Sequence, residues 1–232
     1  MATTSANLFD EFSPSRPQIE AQLDTQIESL QKLQKAAQQI SSILDLDQLI
    51  DNIVNDVAQS FGLLETSVYL HDEAKGEMVM GGVHGCSLHS KGFRLKIGKE
   101  GMVGYVASTG QMRYAPDVRK DEYYVGCEES TQSEVAIPLR VGERLVGVFT
   151  ASHPDLDAFP RQQLRLLQAL CDHMAVAIYN ASRFQSERTE REAMNREAQE
   201  ARAIQQALLP KSSPYVPGFA ISGLSIPASA VG

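Results

Sequence analysis

The chain has 232 residues, 43% of them apolar and 22% charged, a balance that excludes neither a packed core nor a solvated surface and excludes a fibrous or low-complexity protein. Its length suffices for one domain of about 150 residues with flanking helices. A formal charge of −8 and a pI near 5.2 argue against a surface for nucleic acid or anionic lipid.

Three cysteines, Cys86, Cys127 and Cys171, lie too far apart for a C-x-x-C site. The odd number and the lack of a secretory leader fit a reducing compartment, so three free thiols are expected. No stretch is apolar for the eighteen residues of a membrane span, and a cytoplasmic placement is expected.

Residues 1–17 have no apolar run long enough for a signal peptide and read as a disordered N-terminus. From 18 to 44 apolar residues recur at heptad spacing, Ile19, Leu23, Leu30, Leu33, Ala37, Ile40 and Leu44, with Gln26 taking one position of the seam. That spacing predicts a coiled-coil-like helix. Asp45-Leu46-Asp47 offers a cap for a second helix, which Leu49, Ile50, Ile53, Val54, Val57 and Phe61 carry to a terminating Gly62.

Strand-like runs follow at Ser67–His71, Glu77–Val83, Phe93–Ile97, Met112–Tyr114, Val135–Val141 and Arg144–Ser152. Gly142-Glu143 makes the last two a hairpin, and the unbroken apolar run Leu145-Val-Gly-Val-Phe149 predicts a central strand covered on both faces. Gly101–Gly110 reads as a short helix between glycines, and 116–133 as an acidic, Tyr-bearing connection suited to carrying binding groups. After Pro160, Leu164, Leu167, Cys171, Met174, Ile178 and Ala181 mark an amphipathic helix with no Gly or Pro until Leu209-Pro210. Uninterrupted, it would extend about 70 Å.

Leu44-Asp-Leu-Asp-Gln-Leu-Ile50, Gly101-Met-Val-Gly-Tyr-Val-Ala107 with Thr109-Gly110, Pro116-Asp-Val118, Ser133-Glu-Val-Ala-Ile-Pro-Leu139, Leu145-Val-Gly-Val148 and Phe159 occur in an order that resembles a GAF domain. The resemblance spans about 33–184. It implies an α+β fold: a six-stranded antiparallel sheet with helices packed on one face, a ligand-sized pocket under loops on the other, and here long coiled-coil-like helices at both ends. A second resemblance covers about 198–232. Ala201-Arg-Ala-Ile-Gln-Gln-Ala-Leu-Leu-Pro210 and Pro227-Ala-Ser-Ala-Val-Gly232 are similar to the opening of the sporulation-type (SpoIIE-like) metal-dependent protein phosphatases, A-R-x-I-Q-x-x-L-L-P followed by P-A-x-x-V-G-G-D. The Gly and the metal-binding Asp that would come next are not in this chain.

The expected organisation is therefore 1–17 disordered, 18–44 N-terminal helix, 45–184 GAF-like sensor, 185–209 helical linker and 210–232 the start of a phosphatase domain. The linker has no apolar residue over Gln185–Glu192, though Glu187 with Arg191 and Glu192 with Arg196 are favourable pairs. A thin seam then resumes at Met194, Ala198, Ala201 and Leu208, with Gln205 between the last two. Together with Leu23, Leu30, Leu33, Ala37, Ile40 and Leu44 it suggests a homodimer of parallel helices; a solvated spacer helix is the plainer reading.

Ligand residues are expected on the loop side of the sheet: Tyr105, Tyr114, Asp117, Tyr123, Tyr124 and Glu134 combine aromatic faces with polar ends. The plainer reading is that Asp117 and Glu134 cap nearby backbone, and for Glu134 that reading is favoured. Phe159 stands where cyclic-nucleotide-binding relatives carry a Phe, but their Asn-Lys and Asp-Glu pairs are absent. His84-Gly-Cys86-Ser-Leu-His89, with Cys127, could reach one soft metal ion, although such clusters arise by chance. Cys127 lacks the context of a bilin-attachment cysteine. Gly98, Gly101 and Gly104 lack the Lys-Ser/Thr of a phosphate loop and are better suited to tight turns and close packing.

The function these readings imply is the regulatory sensor and dimerisation region of a bacterial serine/threonine phosphatase, signalling through the helical linker. The complete enzyme would need Mn or Mg and would act on a phosphorylated anti-anti-sigma-factor-like protein; this chain alone carries no cofactor and no catalytic residue. A stand-alone small-molecule-binding module is the alternative. A Cys-dependent methionine sulfoxide reductase, needing a low-pKa thiol and a resolving partner, is a third.

Overall fold

The computed structural model describes residues 45–126, 128–208, 215, 217–220 and 223. The expected helix over 18–44, Cys127 and most of the phosphatase-like segment lie outside the described residues. Helix α1, Leu46–Phe61, starts where the Asp45 carboxylate accepts from the Gln48 N–H at 2.9 Å and stops at Gly62, whose φ of 64° is left-handed. Six strands follow: β1 Glu65–Asp72, β2 Glu77–His84, β3 Arg94–Lys96, β4 Arg113–Ala115, β5 Ser133–Val141 and β6 Arg144–His153. Helix α2, Gly101–Thr109, lies between β3 and β4, a single 3-10 turn at Val118–Lys120 follows β4, and helix α3 runs over Arg161–Leu208.

The strands form one antiparallel sheet in the order β3-β2-β1-β6-β5-β4. The expected hairpin is β5–β6, with Val141 opposite Arg144 across Gly142. The expected central strand is β6, paired on both edges, with Val148 and Phe149 fully buried.

Alternation along the strands divides the core in two. Val68, Phe149, Ala151, Val135, Ile137 and Leu139 point to one face. That face is covered by Leu49, Ile50, Ile53 and Val54 of α1, and the Thr66 hydroxyl donates to the Val54 carbonyl at 2.6 Å. The first part of α3 buries Leu167, Leu170, Cys171, Met174 and Ile178 completely or nearly so. Each such side chain contributes roughly 1.5–3 kcal/mol. The other face carries Tyr69, Met78, Met80, Ala136 and Val148, packed with Leu95 and with Met102, Val103 and Val106 of α2.

α2 approaches very closely at Gly104, where a Cβ would lie 2.6 Å from the Lys96 carbonyl oxygen. Gly98 and Gly101 both have φ of 72°, and the Gly98 N–H donates to the Gly104 carbonyl at 2.8 Å. The turn and packing role read for these glycines is the one they play.

The described residues fall into two units, divided inside α3 between Tyr179 and Asn180. In the second unit, Arg183 pairs with Glu187 at 3.1 Å and Arg188 with Glu192 at 2.9 Å. The expected pairs Glu187–Arg191 and Glu192–Arg196 are not formed, because each glutamate takes the arginine on its N-terminal side. The described helices include none long and apolar enough to cross a membrane.

The expectation of three free thiols is corrected. Cys171 is a buried free thiol, but Cys86, in the loop after β2, is disulfide-bonded, with its partner outside the described residues. Spacing in sequence revealed no pair because a disulfide depends on loops brought together only by the sheet.

Candidate ligand pocket

The strand register sets the floor of the pocket. Glu65 of β1 and Glu134 of β5 both lie opposite Ser152 of β6, forming one row across three strands. The next row is Ser67, Thr150 and Ala136; beyond it Tyr69 lies opposite Val148. The Ser67 and Thr150 hydroxyls are 2.6 Å apart and share a hydrogen bond. The roof comes from Gly101, Met102 and Val103 at the start of α2, and from Phe93 and Leu95; His89 and Val125 complete the wall. Counted with its open mouth the concavity is about 380 Å³, of which water centres could occupy about 20 Å³. One or two waters or the head of a small ligand fit without movement.

Two carboxyls open into this space. Glu65 is 8% exposed, and neither it nor Glu134 makes a side-chain hydrogen bond with a described residue. Burial, and then the negative charge of Glu128, push Glu65 up to about 7. Burial, then Glu65 and Asp121, hold Glu134 well above the usual carboxylate range. The same pair raises its tyrosine neighbours: burial and Glu134 push Tyr124 up to about 12, and burial with Glu134 and Glu65 lifts Tyr69 further. This is a low-dielectric site with unsatisfied negative character.

Loops close the mouth. The Glu128 carboxylate accepts from the Ser87 N–H at 2.6 Å, joining the connection before β5 to the loop after β2. In that loop His89 stacks on Phe93 at 3.8 Å, and its N–H donates to the Cys86 sulfur at 3.2 Å.

Of the six residues expected in the pocket, Glu134 lines the cavity. The capping role favoured for it is not seen: among the described residues no backbone group donates to its carboxyl. Asp117 does cap: it accepts from the Arg119 N–H at 3.2 Å and from the Arg119 guanidinium at 2.8 and 3.0 Å. That bonding, with Lys120, holds its carboxyl far below the usual range. Tyr105 and Tyr123 meet with tilted rings 4.7 Å apart, with the Arg113 guanidinium 4.6 Å from each ring centre and bonded to Asp121 at 2.8 Å. Tyr114 donates to Asp157 at 2.8 Å and meets Phe159 edge-on. Tyr124 shares the electrostatic surroundings of Glu134 without lining the cavity.

Glu65, Ser67, Tyr69 and Thr150 were missed. Their signal was present: polar residues at every second position of strands otherwise apolar, on the face that Glu134 shares. Among the described residues no group of three His, Cys, Asp or Glu could hold a metal ion. His84 instead bonds Asn55 at 2.8 Å, and Cys86 is engaged in its disulfide.

The family model for the GAF domain matches residues 43–178. The chain belongs to the GAF family. Its GAF segment is similar to the Escherichia coli DNA-binding transcriptional activator HyfR, 26% identical over 166 residues, and to Bacillus subtilis protein YtsP, 24% identical over 110 residues. These matches cover 63% and 47% of this chain but 23% and 65% of those proteins. Among solved structures, the GAF domain of an Acinetobacter phosphoenolpyruvate-protein phosphotransferase superposes with a TM-score of 0.60 at 26% identity, covering 66% of this chain and 93% of that one. The free methionine-R-sulfoxide reductase of Neisseria meningitidis shares the GAF fold, with a TM-score of 0.61 at 20% identity over 67% and 90% of the two chains.

Proposed function

We propose that this GAF domain is the ligand-sensing part of a homodimeric regulator, and that the protein it serves is a metal-dependent serine/threonine phosphatase. The observation that carries the reading is helix α3. It begins with side chains fully buried in the sensor domain, Leu167, Cys171, Met174 and Ile178, and continues unbroken to Leu208, through the Ala201-Arg-Ala-Ile-Gln-Gln-Ala-Leu sequence that resembles a phosphatase opening. A ligand that changes how the domain packs on α3 therefore acts on the element that would enter the effector. The domain recurs within larger proteins, as its modest share of the HyfR sequence illustrates.

In this reading parallel helices join two chains, Mn or Mg would serve the phosphatase, and a phosphorylated anti-anti-sigma-factor-like protein is its substrate. The protein translated from the uninterrupted natural reading frame should release phosphate from a phosphoserine form of such a substrate with Mn present, and not with EDTA. A stop codon directly after Gly232 would sink the phosphatase assignment and leave the stand-alone sensor. The reductase reading has less support, since no described residue lining the cavity is a cysteine and Cys171 lies in α3 with its thiol raised by burial.

A further inference from the structure

The pocket contains an arrangement that folding alone would disfavour. Two carboxyls open into one small cavity, one of them more than nine-tenths buried, and neither has a hydrogen-bond partner among the described residues. Buried carboxylates are ordinarily paired with a cation or several donors. Here the other charges nearby make matters worse: Glu128 adds negative potential at Glu65, and Asp121 at Glu134. Arg113 is occupied by Asp121 and by the faces of Tyr105 and Tyr123. Among the described residues no lysine or arginine lines the cavity.

We propose that the pocket receives the ammonium head of a small organic amine, held between Glu65 and Glu134, with its apolar end against Phe93, Leu95 and Val125. The proposal rests on this cavity being the domain's ligand site. Glu65 and Glu134 stand on either side of Ser152, so their Cα atoms are about 10 Å apart, two strand spacings. Two glutamate side chains rising from the same row can close on one group between them. An ammonium has three donors. The two carboxylates and a remaining lone pair of the Ser67–Thr150 hydroxyl pair supply three acceptors.

The remaining lining fits an organic cation better than a metal ion. Among the described residues two carboxylates face the cavity, and no group of three His, Cys, Asp or Glu is placed to hold a metal ion. The Tyr69 ring also lines the cavity, and aromatic rings attract ammonium groups. Leu95, Met102, Val103 and Val125 give the opposite end an apolar wall. An anion has no cationic side chain to meet.

The test uses the chain in its present form and three probes of similar size: n-butylammonium, n-butanol and butyrate, titrated by NMR and calorimetry at pH 8. Saturable binding is expected for n-butylammonium, with n-butanol at least ten-fold weaker and butyrate without effect. Glu65→Gln and Glu134→Gln should each weaken n-butylammonium binding about ten-fold or more. Between pH 6 and pH 8 wild-type affinity should rise several-fold as Glu65 ionises, with Glu128, Glu134, Asp121, Tyr69, Tyr124 and His89 the titratable groups around it. Binding of n-butanol or butyrate as tight as that of n-butylammonium overturns the cation assignment while upholding the pocket. Failure of all three probes to shift cavity resonances overturns both. The probe series in the wild type decides the matter even if a glutamine variant fails to fold.

Discussion

Glu65 illustrates a conflict between stability and binding at a single residue. Its carboxyl is raised to about 7 in the folded chain by burial and then by Glu128, against 4.5 when free. Between those two pH values the folded state holds a proton that the unfolded state has released, so stability falls as pH rises through the window and levels off above 7. The loss is on the order of 3 kcal/mol. Glu65→Gln removes the titration, so urea unfolding should find the variant about 1–3 kcal/mol more stable than the parent at pH 8 and nearly equal to it near pH 4.5. A parent whose stability is flat or rising from pH 5 to 7, with no gain in the variant, would contradict the burial of an unpaired carboxyl. A residue that costs stability while facing a cavity is characteristic of a binding site. Asp117 shows the reverse economy: its carboxylate is fully employed on Arg119 and the turn backbone and has nothing left for a ligand.

Secondary elements were legible in the sequence where a local rule acts. Asp45 and Gly62 bracket α1, Gly142 turns β5 into β6, and the unbroken apolar run placed β6 at the sheet centre, because caps, turns and burial each leave a mark within a few residues. The pocket was legible only at Glu134. Its partner Glu65 lies about seventy positions earlier and becomes a neighbour only through β6, a pairing no local pattern encodes. The Cys86 disulfide escaped for the same reason. Tyr105 and Tyr123 looked like ligand groups by chemistry, yet Arg113 occupies their faces. The glycines of the Gly98–Gly104 turn suggest a sharper test. At Gly104 an added methyl group meets the rigid Lys96 carbonyl, so α2 must shift away from the residues leading out of β3. Gly104→Ala should lose about 1–3 kcal/mol in urea unfolding. Because Gly101, Met102 and Val103 line the cavity, the variant should also bind n-butylammonium more weakly. A fully stable Gly104→Ala protein would mean that this close approach is not enforced.

At the scale of the whole molecule, the second half of α3 carries apolar side chains that nothing in this single chain covers among the described residues. Met194 and Ile204 are each 63% exposed and Leu208 81%, while Gln185–Glu192 contributes no apolar side chain at all. The two Arg–Glu pairs there run in the less favourable order and add only a few tenths of a kcal/mol each. An isolated helix of this composition is marginal in water, since most helical stability comes from burying one face. In the proposed dimer a second copy of the chain would supply that burial at the heptad positions Met194, Ala198, Ala201 and Leu208, and the sequence repeats the same spacing at Leu23, Leu30, Leu33, Ala37, Ile40 and Leu44. Because the α3 seam is thin, a modest difference in ligand affinity between two arrangements of the sensor would be enough to shift its order or register. Light scattering of the 232-residue chain should give the mass of a dimer, and Leu33→Glu or Ile40→Glu should reduce it to that of a monomer without unfolding the GAF domain. A wild-type chain that is monomeric at every accessible concentration would refute the parallel-helix dimer and, with it, the route from pocket to effector through a paired α3.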